Sequence, residues 1–486
     1  MVLWGLCAAS LLCVIGCTVG PDFVRPEPPQ VERYTSGSQP GATIAADGQT
    51  QRFEEGARIV SDWWRLFNSS KLDTVIKEAF VNNPNLQAAQ ASLRQSQDNL
   101  RAGYGVFYPQ VDAGFDATRQ KLSQTRFGGS SANSTIFNLY TLTATVSYAL
   151  DIFGGERRAV EGLQAQVDFQ RYSVEGTYLT LSGNIVNTVI ARAAYLEEIK
   201  ATGQIIDLLK EQNRITEIQA QAGTVPFANV LSIRSQLASA EATLPPLRQK
   251  VSQADHLLAT LAGHAPAEWS SPQMDMEDIM LPADLPITVP SQLVRRRPDI
   301  LAAEAQLHSA SADIGVATAA LFPSFTLNGS YGVENTSFNN LFKNTSSIWS
   351  LGSNIVAPLF HGGTLRSKRS AAIEGYNQAL ATYRQTVLSA FAQVADSLRA
   401  LEHDAEGLHA QSQALNTAQE ALRLVQANYE AGLVNYLQVV IANDQYHQAK
   451  IGYLQALAQR FQDTVALFVA LGGGWWNAEG KIPGNT

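Results

Sequence analysis

Residues 296–307 read "RRPDILAAEAQL", and residues 82–93 read almost the same, "NNPNLQAAQASL". Pro298 and Pro84 each sit between polar residues and each opens a run rich in Ala, Leu and Gln. Each run ends at a second proline, "LFPSF" at Pro323 and "FYPQV" at Pro109, with equal proline-to-proline spacing. A shift of about 210 positions aligns three further landmarks in order. "IFGGERR" from Ile152 answers "LFHGGTLR" from Leu359, "QAGTV" from Gln221 answers "EAGLV" from Glu430, and "ATLAG" from Ala259 answers "VALGG" from Val469. Four ordered matches imply an internal duplication, so each half can be read once.

In the first repeat, residues 71–262, the residues Leu72, Val75, Ile76, Ala79, Leu86, Ala89, Leu93 and Leu100 recur at spacings of three, four and seven. That spacing predicts an amphipathic helix over 71–106, ended by Pro109. From Tyr108 the period becomes two: Val111, Ala113, Phe115 and Ala117 alternate with Asp112, Gly114, Asp116 and Thr118. Strands are therefore expected over 108–121 and 138–152, joined by a Ser/Gly/Asn-rich loop. No proline interrupts 156–221, and the helical pattern predicts one helix over 156–222, roughly 100 Å long. Ala222-Gly223-Thr224-Val225-Pro226 reads as a stop and a restart, and the return helix covers 227–262 with a kink or break expected at Pro245-Pro246.

The second repeat, 293–471, gives a helix over 299–321, strands over 324–334 and 347–360, a long helix over 364–431 and a return helix over 435–471. Residues 263–292 form a proline-rich acidic linker and are expected in a small mixed equatorial region. Residues 17–70 read as an irregular amino-terminal arm, packed outside or free, and 472–486 as a tail.

The four strands are long, with one apolar face and one of small polar residues. A soluble sandwich has similar strands, but the pattern suits a transmembrane barrel with lipid outside and water within. After the first residues no apolar stretch of about eighteen residues occurs, so any membrane crossing would be made by strands. Four strands cannot close a barrel, whose smallest transmembrane form has about eight. Open edges in a bilayer would leave backbone groups unsatisfied, so two or more copies must join. The fold class expected is an internally duplicated α+β membrane protein.

With 486 residues, a formal charge of -8 and no Lys/Arg block, the chain lacks the clustered basic charge that nucleic acid demands. Residues 1–16 read as an export signal, and Val14-Ile15-Gly16-Cys17 resembles a bacterial lipobox that makes Cys17 the lipid attachment point. An ordinary signal that happens to contain cysteine is the alternative. With Cys7 and Cys13 removed, Cys17 would be the single thiol, which excludes internal disulfides. The seven histidines form no HxH or HExxH pattern, so no metal site is expected. Glu402, Glu406 and His409 share a helix face and read as solvated. Gly472 to Gly474 lacks the Lys-Ser/Thr of a phosphate loop, and no activated nucleophile is visible, so no enzyme and no bound cofactor is expected.

"CTVGPDFVRP" at 17–26, "LVRRRPDILAAEAQLHSASADIGVATAALFPSFTLNGSYG" at 293–332, "YEAGLVNYL" at 429–437 and "LGGGW" at 471–475 together carry a resemblance. The chain resembles the TolC-like trimeric outer-membrane efflux channels, and within them the OprM/NodT-type lipoprotein branch. That resemblance implies a homotrimer whose protomers contribute four strands each to a twelve-stranded β-barrel, continued by a long α-helical periplasmic barrel. It implies a Gram-negative outer-membrane location, with diacylglycerol and an N-acyl chain on Cys17. It implies a passive exit duct for drugs or other small toxic compounds, working with a periplasmic adaptor and an inner-membrane transporter of the resistance-nodulation-division type. Gly223, Thr224, Gly432 and Leu433 would form the tips that meet the adaptor, and Tyr429 and Leu437 would lie near the closed aperture.

One departure stands out. Relatives often carry aspartate one helical turn after that leucine, and here the position is Ile441, with Asp444 nearly a turn further on. Ile441 would then ring a greasy constriction, with Asp444 supplying charge at another level; alternatively Ile441 is a packing knob and Asp444 a solvated residue. Two other functions remain open from the residues: a lipid-anchored periplasmic coiled-coil scaffold or adaptor, and a similar duct for protein secretion or metal-ion efflux.

Overall fold

The computed structural model describes residues 18–36, 41–121 and 136–477. The expected signal at 1–16, Cys17, nearly all of the first inter-strand loop and the tail from 478 lie outside the described residues. In chain order the elements of the first half are β1 (Arg52–Glu55), α1 (Ser70–Asn82), α2 (Pro84–Gly103), β2 (Gln110–Lys121), β3 (Ile136–Leu150), α3 (Gly155–Gln221) and α4 (Phe227–Ala262). There follow β4 (Asp284–Ile287), the short α5 (Pro290–Leu293), α6 (Pro298–Ala319), β5 (Ser324–Asn335), β6 (Ser347–Val356), α7 (Thr364–Glu430) and α8 (Tyr436–Ala470). The two long helices, α3 and α7, each have 67 residues, as a duplication requires.

The chain divides into two compact units. The first comprises 18–26, 92–171 and 302–383 and holds a four-stranded antiparallel sheet in the order β2-β3-β5-β6. The β3–β5 ladder, Tyr140 opposite Asn335 through Leu150 opposite Phe325, joins the strands of the two repeats. Register sorts the faces, because directly opposed residues share a side. Val111, Val146 and Leu351 lie along one row and Ala144, Tyr331 and Trp349 along another of the same face. The opposite face gathers Asp112, Thr145, Ser330 and Ser350 in one row and Asp116, Thr141 and Glu334 in another, with the Ser330 and Ser350 hydroxyls 2.8 Å apart. Trp349, Leu351 and Ile355 are largely exposed, so the apolar face is uncovered in one chain. β2 and β6 each keep one edge without a strand partner among the described residues.

The second unit comprises 27–91, 172–301 and 384–477 and holds most of the buried aliphatic core. Its hairpin ends share one cluster: Ile205, Ile206 and Leu209 of α3, Ile233 of α4, and Tyr436, Val439 and Val440 of α8. At the other end Trp63 stacks on Phe468 at 5.4 Å, and Phe67 lies near Phe461.

Three expectations change. The helix expected over 71–106 is divided at Asn83, because Pro84 forces the residue before it into an extended conformation. Asn83 then caps the next helix, its Oδ1 accepting from the backbone N–H of Asn85 at 3.0 Å and Leu86 at 3.1 Å. No break occurs at Pro245-Pro246, where α4 runs on unbroken. Both prolines and the carbonyl-bearing residues four back, Glu241 and Ala242, are exposed, so water can satisfy the freed carbonyls. The arm at 17–70 is not irregular throughout: β1 pairs in parallel with β4 of the linker, and a 3₁₀ turn at Trp63–Phe67 buries Trp63, Trp64 and Phe67.

Candidate functional site

The two helical turns are built alike. Gly223 has φ +75° and Gly432 φ +74°, and a Cβ at either would meet nothing within 4 Å. Glycine is needed there for backbone conformation and not for space. In the first turn Thr224 N–H donates to Gln219 O at 2.9 Å and Gly223 N–H to Ala220 O at 3.1 Å. In the second, Leu433 N–H donates to Asn428 O at 2.8 Å and Gly432 N–H to Tyr429 O at 3.0 Å. Both are Schellman stops, which satisfy the last helical carbonyls. Gly223, Thr224 and Gly432 are exposed, and Leu433 is 74% exposed.

The four residues expected near an aperture separate into two groups. Tyr429 faces inward: its hydroxyl donates to Gln219 Oε1 at 3.2 Å and its ring meets Tyr436 edge-on at 5.5 Å. Tyr436 is buried and donates to Gln212 Oε1 at 2.6 Å, and burial first, then nearby Tyr429, raises its phenol pKa. Two tyrosines seven residues apart thus grip two glutamines seven apart on the antiparallel α3. That shared interval was readable in the chain, but only once α3 was known to run beside this turn.

Leu437, Ile441 and Asp444 lie together on the opposite, exposed face of α8. Leu437 is 57% exposed and Ile441 48%, so within one chain Ile441 is not a packing knob. Asp444 Oδ2 accepts from Gln448 Nε2 at 2.8 Å. Three residues on, burial lowers the pKa of His447 against the pull of Asp444, and its Nδ1 has no hydrogen-bond partner. The face therefore offers an apolar step, then a carboxylate a turn further on.

Glu402, Glu406 and His409 are engaged separately, with Arg399, His403 and Gln413. Among the described residues no group of three or more His, Cys, Asp or Glu could hold a metal ion, and no helix is long and apolar enough to cross a membrane. Of the three consecutive arginines Arg295, Arg296 and Arg297, Arg297 is buried and serves structure: Nη1 donates to Ala470 O at 2.8 Å, and Nε pairs with Asp299 at 2.9 Å. Its counterpart Asn83 does the same in the first repeat, donating from Nδ2 to Leu261 O at 2.9 Å. Position 83 or 297 ties the start of one helix to the end of the return helix in each repeat.

Cys17 lies outside the described residues, but the chain just after it is fastened to the first unit. Val19 N–H donates to Phe153 O at 3.0 Å, Asp22 pairs with Arg158 at 2.5 Å, and Phe23 stacks on His308 at 4.3 Å. Thr18 packs on Gly154, between the end of β3 and the start of α3.

Comparison with known proteins supplies the context. The model of the family described as outer membrane efflux protein matches residues 75–264 and 289–473, one span for each repeat. The pyoverdine export outer membrane protein OpmQ of Pseudomonas aeruginosa is 32% identical over 442 residues, covering 89% of this chain and 92% of the relative. The probable efflux pump outer membrane protein TtgC of Pseudomonas putida is 27% identical over 481 residues, covering 98% and 96%. Among solved structures, the outer-membrane channel OprN superposes with a TM-score of 0.85 at 27% identity, covering 94% of this chain and all of that one.

Proposed function

The chain belongs to the outer membrane efflux protein family and is an outer-membrane efflux channel subunit reaching into the periplasm, and from that premise we propose that three copies assemble into one passive duct. The observation that carries the trimer reading is the sheet β2-β3-β5-β6, which has two open edges and an uncovered apolar face. Unpaired edge groups cost several kcal/mol each in lipid, so a four-stranded sheet is stable there only when other copies complete it. Three copies give twelve strands, within the size range of transmembrane barrels.

The duct has no catalytic activity of its own in this reading. It works with a periplasmic adaptor and an inner-membrane transporter of the resistance-nodulation-division class. The exposed turns at Gly223-Thr224 and Gly432-Leu433 are the adaptor-contacting tips. The face of Leu437 and Ile441 forms the narrowest, apolar step of the lumen, with Asp444 as a charged level beside it. Cys17 carries diacylglycerol and an N-acyl chain, a reading supported by the fastening of Thr18 at the strand-to-helix junction. The cargo is small toxic organic compounds, drugs among them; the relative OpmQ is named for the export of pyoverdine.

Planar-bilayer conductance of the purified oligomer tests the reading. The expected result is low basal conductance that rises on Ile441→Gly. A purified oligomer with no pore activity, unopened by either Ile441→Gly or Asp444→Ala, would overturn it. The alternative, a lipid-anchored coiled-coil scaffold, leaves the four long strands without a purpose.

A further inference from the structure

Arg460 on α8 is fully buried, yet no carboxylate lies within ion-pair reach of it among the described residues. All of its hydrogen bonds go to neutral acceptors of the amino-terminal arm. Nε donates to Gln51 Oε1 at 3.0 Å, Nη1 to Ala46 O at 3.4 Å, and Nη2 to Gln49 O at 3.3 Å and Thr43 Oγ1 at 3.4 Å. Gln51 extends the knot, donating from Nε2 to Thr464 Oγ1 at 3.0 Å and Pro282 O at 3.2 Å. The arm also seats Ala46 against Ala405 and Leu408 of α7. A buried cation held by neutral groups needs a compensating charge nearby.

That charge sits on the residue just before Ala405. Asp404 has a buried Oδ2 that meets no hydrogen-bond donor, and its neighbour across on α8 is Asp463, which itself accepts from Gln459 Nε2 at 2.7 Å. Two ionised carboxylates offer only acceptors to each other; one proton between them supplies the missing donor. Burial first, then the hydrogen bond and charge of Asp463, push the Asp404 pKa up to about 8, with Arg460 pulling the other way. The other ionisable groups at the knot are Asp47 of the arm, whose charge acts on Arg460, and Tyr453 of α8, whose hydroxyl donates to Asp47 at 2.5 Å. With one shared proton the carboxyl pair carries one negative charge against the one positive charge of Arg460.

We propose that the proton shared by Asp404 and Asp463 is a pH-sensitive latch for the amino-terminal arm: while it is held, the pair adds a single negative charge beside Arg460 and residues 43–51 stay seated over α7 and α8, and when it leaves, a second negative charge on the pair, facing Asp47 of the arm, loosens them. Ala46 of the arm packs on Ala405, next to Asp404, so releasing the arm opens this site to water and the proton is given up. Seating therefore weakens as pH rises from the ordinary aspartate range to about 8 and levels off above that. One proton sets the steepest slope, about tenfold per pH unit. The latch stands independently of the proposed aperture.

The test is amide hydrogen exchange of residues 43–51 in the purified full-length protein, corrected for intrinsic exchange, from pH 5 to pH 9. The wild type should lose at least about tenfold of its protection across that range, following the one-proton slope. Asp463→Asn, which puts an amide donor where the proton was, should flatten the profile, and so should Asp404→Asn. A structural role alone would lower protection equally at every pH. The proposal is overturned if the wild type shows no slope, or if Asp404→Asn and Asp463→Asn both keep it; should one variant fail to fold, the other decides.

Discussion

Glu217 on α3 meets Arg234 on α4 at 2.7 Å, and Lys210 and Glu241 meet across the same two helices at 3.5 Å. Further along, Arg192 and Asp255 join that pair again at 2.6 Å. Between α7 and α8, the corresponding pair of the second repeat, no ion pair forms among the described residues. There the ties lead outward instead, from Tyr429 and Tyr436 to Gln219 and Gln212 of α3. The two turns match in φ and in hydrogen bonding, so duplication preserved the backbone while the side chains diverged. The first hairpin is stitched to itself, and the second is held in place by its neighbour. Two phenol hydrogen bonds and the shared apolar cluster therefore tie the tip of the second hairpin to α3.

The largest effect that tests this comparison lies at the matched helix starts. Arg297→Ala strands the buried carbonyl of Ala470 and should cost about 3 kcal/mol, read as a lowered thermal midpoint. Asn83→Ala removes one neutral bond and a cap and should cost about 1 to 2 kcal/mol. Equal losses would show that the shared tie, and not the charge and extra bonds of Arg297, sets the cost at both positions. Isoleucine supplies the next contrast. Ile233→Ala empties a fully buried site of the shared cluster and should cost about 3 kcal/mol. Ile441→Ala, on the exposed face of α8, should leave stability within about 0.5 kcal/mol while raising conductance. A smaller change is expected for Tyr436→Phe, about 1 kcal/mol, because one hydrogen bond is lost and Gln212 is freed. Its signature is more frequent channel opening, and an unchanged gating record would refute the outward-tie account of the second hairpin.

How much of this was legible beforehand follows from the scale of each signal. The long helices, the strands and the two turns declare themselves because periodicity accumulates over tens of residues and glycine marks each reversal. Ile441 was visible as an apolar residue at a position where relatives often carry an acid, but its exposure depends on which face of α8 meets the shared cluster. β1 and β4 have four residues each, too few to show a period, and their pairing spans more than two hundred positions. Arg460, Asp404 and Asp463 were unreadable for a different reason: each looks like an ordinary polar residue on a long helix, and only the arm encloses Arg460 while only the packing of α7 on α8 brings the two aspartates together. The division at Asn83 was in plain view, since the same Asn-Pro step that opens one helix also closes the one before it.

The smallest predicted effect sets the two hairpins against each other through pH. The Glu217 carboxyl is held below its usual range by hydrogen bonds from Arg234 and then Asn213. A depressed carboxyl contributes stability above its unfolded pKa and loses it as pH falls through the folded one. Acid should therefore loosen the α3–α4 tip, whereas the Asp404 knot on the second pair is loosened by alkali. The Glu217 side chain is 33% exposed and its partner Arg234 52%, so the pair's contribution is slight and fades as salt screens it. Amide exchange near residues 217 and 234 should rise modestly below pH 4 at low salt and less at high salt. Glu217→Gln should abolish that rise and leave the arm profile at 43–51 unchanged. If a single pH trend governed both regions, the separate means of holding the two hairpins would have to be given up.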